Sequence, residues 1–254
     1  MIEISKEHQD YFFFALKRSG SHAVINWILN HFNSYIHYNN CFVKNKKIYV
    51  NNNNEIRKKG SDFKISILSF EDRPVLLNAE FNSDFNCVLE LNPKINNILL
   101  LRDAYNTYAS RYQKKLKPDP KMNLWNEIWT NYNDKELWIC YAKEYLKPSF
   151  FNKELIKINF NDWFSKKEYR KKISKKFNAK HSDKGLEIMS NDGGGSSFDQ
   201  MKYQNKSQKM KVLERYKQLM FNKDFFETII CDEQLKFYNK KIFNFYPNFK
   251  NFLL

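Results

Sequence analysis

Six consecutive residues, Lys17, Arg18, Ser19, Gly20, Ser21 and His22, put two cations, two hydroxyls and a glycine into one short string. Hydroxyls and backbone N–H groups donate hydrogen bonds, lysine and arginine bring charge, and glycine permits a tight turn. That combination is suited to holding an oxyanion. A second set follows later in the chain: Arg102, then Asp103, with Ser110 eight positions after the arginine. Eight positions is a little over two helical turns, so a helix starting there can return the Ser110 hydroxyl to the anion that Arg102 holds. A third stretch, GLEIMSNDGGGSSFDQ, gathers three of the six glycines at Gly193, Gly194 and Gly195, followed by Ser196, Ser197 and Phe198. So much backbone freedom suits a loop that closes over a ligand; a plain surface connector has the same composition.

These residues can act together only if the elements around them converge. Tyr11–Leu16 is an unbroken apolar run of strand length, the pattern of a strand buried on both faces. From Ala23 the apolar positions Val24, Ile25, Trp27, Ile28 and Phe32 recur at helical spacing. Strand, glycine turn and helix start aim free N–H groups at an anion, and the helix dipole adds to the attraction. Ile98–Leu101 predicts a central parallel strand with Arg102 and Asp103 at its carboxyl end, and a helix carrying Tyr105, Tyr108, Ala109 and Tyr112 behind it. Ligands of open α/β sheets bind outside the carboxyl ends of the strands. Arg102 therefore falls beside Lys17 if the two strands are neighbours. Taken singly, each stretch also has a plainer reading, a turn with surface cations and an arginine paired with a surface carboxylate.

The first string is not the GxxxxGK[ST] loop of nucleoside-triphosphate enzymes, because Lys17 precedes Gly20. KRSGSHAVINW instead resembles the 5′-phosphosulfate-binding loop of sulfotransferases, in which a lysine leads a short Ser/Gly/Thr-rich loop and a tryptophan commonly follows; here Lys17 leads and Trp27 follows. Arg102, Asp103 and Ser110 resemble the 3′-phosphate motif of the same family, with Ala104 where a proline often stands. The glycine-rich stretch resembles the segment with which many members, bacterial and phage types among them, cover the nucleotide. The resemblance runs from about Tyr11 to Tyr216. It implies one α/β domain over residues 1–254, with a central, mostly parallel, P-loop-like sheet flanked by helices. It also implies 3′-phosphoadenosine 5′-phosphosulfate as co-substrate, no metal, and transfer of the sulfuryl group to a hydroxyl or amine of an unidentified acceptor.

In that reading Lys17 is the electrophilic catalyst, while Arg18, Ser19, Gly20, Ser21 and His22 form the cradle. Arg102 and Ser110 hold the 3′-phosphate, and Gly194, Gly195, Ser196 and Ser197 belong to the cover. Family members take the acceptor proton with a histidine or glutamate at a strand end. Glu71, closing KISILSFED, is the candidate; Asp72, Glu80, His37 and His22 are alternatives, and an ordinary surface glutamate is the plain reading.

The chain as a whole bounds these readings. At 254 residues with 42% hydrophobic residues it suits one sizeable domain with a packed core. The formal net charge of +15 points to an anionic partner: a nucleotide, an acidic polysaccharide or nucleic acid. It favours a glycan or other anionic acceptor, without specific nucleic-acid binding. Cys41, Cys87, Cys140 and Cys231 are too scattered for a zinc site or disulfide scaffold, so free thiols are expected. No stretch reads as a signal peptide or membrane span, and a cytoplasmic protein is expected. Two other function classes remain: a nucleotide kinase, which needs a GK[ST] lysine and a magnesium carboxylate, and a basic polyanion-binding module.

Elsewhere, Ser34–Gly60 is polar, asparagine-rich and poorly periodic; within it YVNNNNEIRKKG reads as a hairpin tip or mobile loop with solvated lysines, and PVLLNAEF after it as a short strand or helix start. MNLWNEIWTNYNDKELWICYAKEYL reads as one or two helices that pack Trp125, Trp129 and Trp138, and LIKINFNDWF as a strand plus turn. KKEYRKKISKKF predicts a basic amphipathic helix with a solvated Lys/Arg face, KMKVLERYKQL another helix, and the Phe-rich tail from Asp224 a segment packed back on the sheet.

Overall fold

The computed structural model describes residues 2, 4, 9–50, 55–73, 79–116, 134–151, 155–189 and 195–247. Its centre is a six-stranded sheet of β1 (Gln9–Ala15), β2 (Tyr35–Tyr38), β5 (Ile56–Lys59), β6 (Ile65–Glu71), β7 (Asn96–Leu101) and β8 (Leu155–Asn159), in the order β5-β2-β6-β1-β7-β8. All neighbours run parallel except β5, which pairs antiparallel with β2 at one edge. The chain is thus a single α/β domain with a mixed, mostly parallel sheet between two helical layers.

Strand β1 is buried from Asp10 to Ala15. Phe12 and Phe14 enter one core with Leu68, Phe70 and Leu99, while Tyr11, Phe13 and Ala15 enter the other with Ile65, Ile67 and Ile98. Two-sided burial is what a run of aromatics without alternation encodes. The first core is closed by α2 (Ala79–Leu91), α3 (Ala104–Leu116), α4 (Asp134–Leu146) and α7 (Glu233–Phe243). The second is closed by α1 (Ser21–Leu29), α5 (Phe160–Ser165) and α6 (Lys167–Lys176). From β1 the chain passes through α1 to β2 on one side, and from β6 it crosses through α2 to β7 on the other. A crevice therefore opens at the carboxyl end of β1, where such sheets take their ligands.

Several expectations are corrected. YVNNNNEIRKKG is not a hairpin tip or loop throughout, because its later part forms β5, and the poorly periodic Ser34–Gly60 stretch also supplies β2 and a hairpin of β3 (Phe42–Lys44) and β4 (Lys47–Tyr49). Asn45 and Lys46 both take positive φ at the hairpin tip, as a tight two-residue turn requires, and Phe42 stacks on Tyr49. Asn51–Asn54 lie outside the described residues, as do Pro74–Asn78 and the Trp125 and Trp129 region; Trp138 is fully buried as expected. The turn after β8 is the helix α5, capped by the Asn159 side chain, which accepts from the Asp162 N–H. In α6, Arg170 leaves the solvated face: it is buried and donates to Asp183 and to the Trp163 carbonyl.

KMKVLERYKQL is not an α-helix but an irregular crossing with 3₁₀ turns at Ser207–Lys209 and Arg215–Leu219. Val212 packs in the α1-side core while Tyr216 and Leu219 pack in the other. The carbonyls of Val212 and Leu213 accept from Arg102 and Asn106 side chains, which competes with helical bonding. The tail contributes Phe225, Ile229, Ile230 and Leu235 to the core beside α3 and α4. All four cysteines are free thiols.

Candidate functional site

The loop between β1 and α1 is held by both of β1's neighbours. From the end of β6, Asp72 donates its N–H to the Ala15 carbonyl and accepts from the Lys17 N–H at 2.9 Å. From α3, Arg111 donates to Asp72 Oδ1 at 3.0 Å and to the Lys17 carbonyl at 3.2 Å. Arg18 takes φ +68° and Gly20 φ +88°, so the loop curls tightly into the first turn of α1. A Cβ on Gly20 would lie 2.2 Å from Phe160 Cε2, so only glycine fits against that ring. The first N–H groups of α1 are orphan donors of any helix start, here with Lys17 and Arg18 beside them. Ser19 is fully buried, yet its Oγ finds no partner among the described residues.

Lys17 stands in a crowded field. Burial lowers its ammonium to about 8, against the pull of Asp72 and Glu71 and with the push of Arg73 and Arg111. A half-buried lysine made reluctant to hold its proton gains more than a solvated one when an anion arrives.

Arg102 ends β7 and is 2% exposed. Its guanidinium donates to the Arg18 carbonyl at 3.0 Å, to Ser110 Oγ at 3.4 Å and to the Val212 carbonyl, and it lies over the Phe160 ring. The expected pair of Arg102 and Ser110 is therefore in place, and Asp103 caps α3 by accepting from the Asn106 N–H. A third cation, Arg215, arrives from the irregular crossing. It donates to Ser110 Oγ at 3.2 Å and to Ser196 Oγ at 2.6 Å, meets Asp199 at 3.4 Å, and lies over the Phe198 ring. Arg18 reaches the same place, donating to the Gly195 carbonyl at 3.4 Å.

Burial lowers the pKa of all three arginines, and the like charge of Arg215 adds to the effect on Arg102, as that of Arg18 does on Arg215. Arg102 Nε, Arg215 Nε and Ser197 Oγ are buried without a partner among the described residues. Buried donors of this kind are costly unless something accepts from them. Such a cluster can accept an anion of high charge.

Glu71 closes β6 as expected and is buried, 6% exposed. It accepts a hydrogen bond from Ser21 Oγ at the start of α1, and His22 Nε2 lies 3.9 Å from the same oxygen. Among the alternatives, Asp72 is engaged with Arg111 and Lys17. His37 is fully buried, with Nδ1 facing Arg57 and Nε2 facing Ser69; burial, and then the Arg57 and His22 charges, keep its pKa well below the usual range. The Glu80 side chain, Gly193 and Gly194 lie outside the described residues, whereas Gly195, Ser196 and Ser197 sit beside Arg215 and Arg18.

Sequence reasoning missed Arg111, Arg215 and Asp199. Arg111 and Arg215 meet partners far away in the chain, so no local spacing marks them, while Asp199 meets Ser196 within the glycine-rich stretch. Among the described residues no helix is long and apolar enough to cross a membrane, and no group of three or more His, Cys, Asp or Glu is placed to hold a metal ion. No family model matches the chain, and neither a curated protein nor a solved structure does.

Proposed function

We propose that the chain is a nucleotide-dependent group-transfer enzyme, and specifically a sulfotransferase that uses 3′-phosphoadenosine 5′-phosphosulfate. The observation that carries this reading is a pair of cationic clusters outside the carboxyl ends of the central strands β1 and β7. The Lys17 loop at the start of α1 forms one, and Arg18, Arg102 and Arg215 around Ser110 and Ser196 form the other. A nucleotide with anionic groups at both its 5′ and 3′ positions accounts for both, and for Ser19 Oγ, Arg102 Nε and Arg215 Nε, which have no partner among the described residues. The position at the carboxyl end of β1 supports it too.

In this reading the Lys17 ammonium and the loop N–H groups face the phosphosulfate. The acceptor oxygen or nitrogen attacks sulfur in line, the bond from sulfur to the bridging oxygen breaks, and that oxygen keeps the electron pair. Lys17 and the loop donors stabilise the charge growing there. The acceptor's proton leaves to a base, and the carboxylates in the field around Lys17 are Asp72, already paired with Arg111, and Glu71. The basic surface favours a glycan or other anionic acceptor.

Thermal unfolding with added ligands tests the reading. Micromolar 3′-phosphoadenosine 5′-phosphate should raise Tm, 5′-AMP much less, and ATP with magnesium or duplex DNA should not reproduce the effect. Equal shifts from the first two nucleotides would remove the 3′ position. A response to DNA alone, abolished by salt, would favour a polyanion-binding module.

A further inference from the structure

Both main-chain polar groups of Lys17 are held by one buried ion pair. Its N–H donates to Asp72 Oδ1 at 2.9 Å, and its carbonyl accepts from Arg111 Nη1 at 3.2 Å. The same Nη1 donates to Asp72 Oδ1 at 3.0 Å, and Nη2 donates to Oδ2 at 3.4 Å, so the guanidinium meets the carboxylate through two of its nitrogens. The Asp72 and Arg111 side chains are 2% and 9% exposed.

Both partners come from elements that are themselves tied to β1 and the site. Asp72 follows β6 in left-handed backbone, φ +53°, and its N–H donates to the Ala15 carbonyl at the end of β1. Arg111 stands on α3 directly after Ser110. A buried ion pair is by itself weak evidence for stability. This one grips the chain on either side of the Lys17 Cα, and so fixes the point from which the ammonium is presented.

We propose that the Asp72–Arg111 pair is a positioning device that holds the Lys17 backbone, so that the ammonium meets the charge growing in sulfuryl transfer without reorganisation. This inference rests on the sulfuryl-transfer reading. Asp72 and Arg111 act through Lys17 and take no proton.

The two residues act on the Lys17 charge in opposite senses. Asp72 and Glu71, at the end of β6, favour its proton, while Arg73 beyond them and Arg111 on α3 oppose it. A role through charge alone therefore gives opposite consequences for removing Asp72 and removing Arg111. A positioning role makes both removals slow the reaction.

The test uses water as the acceptor, so no natural acceptor is needed. The full chain is mixed in excess with sulfur-labelled 3′-phosphoadenosine 5′-phosphosulfate, and sulfate release is followed at pH 7 and pH 9. Wild type is compared with D72A, D72N, R111M and R111K. D183N is the control, because it breaks another ion pair with a buried arginine, Arg170. D72A and R111M should each release sulfate about 100-fold more slowly, the scale of a misplacement of about 1 Å. D72N still offers the Lys17 N–H an oxygen and R111K keeps its charge, so each should recover part of the rate. D183N should lower Tm and leave the rate unchanged. The Cε shift of Lys17 in ¹³C-lysine-labelled protein, assigned with K17R, follows its titration without nucleotide. From about 8 it should move down in D72N and up in R111M. Slow release by R111M, although its Lys17 holds the proton more firmly, is the expected signature. An R111M protein as fast as wild type, with D72N slow, overturns positioning in favour of charge alone. A D183N protein slowed as much as R111M at equal loss of Tm overturns it in favour of general stability. A wild type that neither gains Tm from 3′-phosphoadenosine 5′-phosphate nor releases sulfate overturns the transfer reading itself, and this role with it.

Discussion

Gly20 joins the loop, α1 and the Arg102 position in one contact, so replacing it tests how rigidly the site is built. At φ +88° an alanine occupies left-handed backbone, which costs about 1–2 kcal/mol. Its Cβ would stand 2.2, 2.8 and 2.9 Å from three atoms of the Phe160 ring. That ring cannot swing away easily: it is 3% exposed, packs on Trp163, and carries the Arg102 guanidinium on its face. Forcing an extra methyl into such packing costs about 1–3 kcal/mol. Gly20→Ala should therefore lower unfolding stability by about 2–5 kcal/mol in urea. The two contributions separate in a double-mutant cycle with Phe160→Ala, which removes the clash and leaves the backbone cost. The coupling should be about 1–3 kcal/mol, with the double variant more stable than the sum of the single changes predicts. A Gly20→Ala protein within about 0.5 kcal/mol of wild type, a size typical of neutral surface changes, would refute the packing argument.

Three further outcomes are expected. Lys17→Ala should reduce sulfate transfer at least ~100-fold, the scale of losing one preorganised oxyanion donor, with a smaller loss of 3′-phosphoadenosine 5′-phosphate binding; near-normal single-turnover rates would remove Lys17 from the chemistry. Arg215→Met should weaken 3′-phosphoadenosine 5′-phosphate by roughly 10- to 150-fold, equivalent to about 1.5–3 kcal/mol for a charged hydrogen bond, and leave 5′-AMP within about threefold by calorimetry. Because Lys17 sits at about 8 rather than 10.5, the free protein loses that proton as pH rises through 8. Nucleotide affinity should fall between pH 7 and 9.5, and Lys17→Arg should flatten the fall. The same lowering makes the charged Lys17 a burden on folding that is present below pH 8 and relieved from 8 to 10.5, so the chain's own stability should move the opposite way over that interval.

The central part of the fold was legible because its signals are local. β1 is a string of aromatics, and both strand–helix junctions carry their cation, small residue and serine within a dozen positions. The same property explains where reading failed. β2, β3 and β4 are only three or four residues long and are separated by polar residues such as Asn39, Asn40, Asn45 and Lys46, so a few buried residues such as Ile36, Val43 and Ile48 are diluted below any visible period. Their pairing becomes favourable only once β6 offers β2 a partner and a positive-φ turn closes the hairpin.

Arg215 shows why a site is harder to read than a sheet. Val212, Tyr216 and Leu219 have the spacing of a helix face, and in isolation helical bonding is the natural outcome. Here Arg102 and Asn106 take the Val212 and Leu213 carbonyls, and the two sets of apolar side chains go to opposite layers. The segment gives up regular bonding to these side chains, and its irregular path brings Arg215 to Ser110. A buried guanidinium beside two others is a standing cost in the free protein. Asp199, Ser196 and the Phe198 ring hold one side of it, and its Nε finds no acceptor among the described residues. The pattern that misled the sequence reading and the residue it overlooked thus lie on one segment, whose carbonyls are taken by Arg102 and Asn106 while Arg215 meets Ser110 and Ser196.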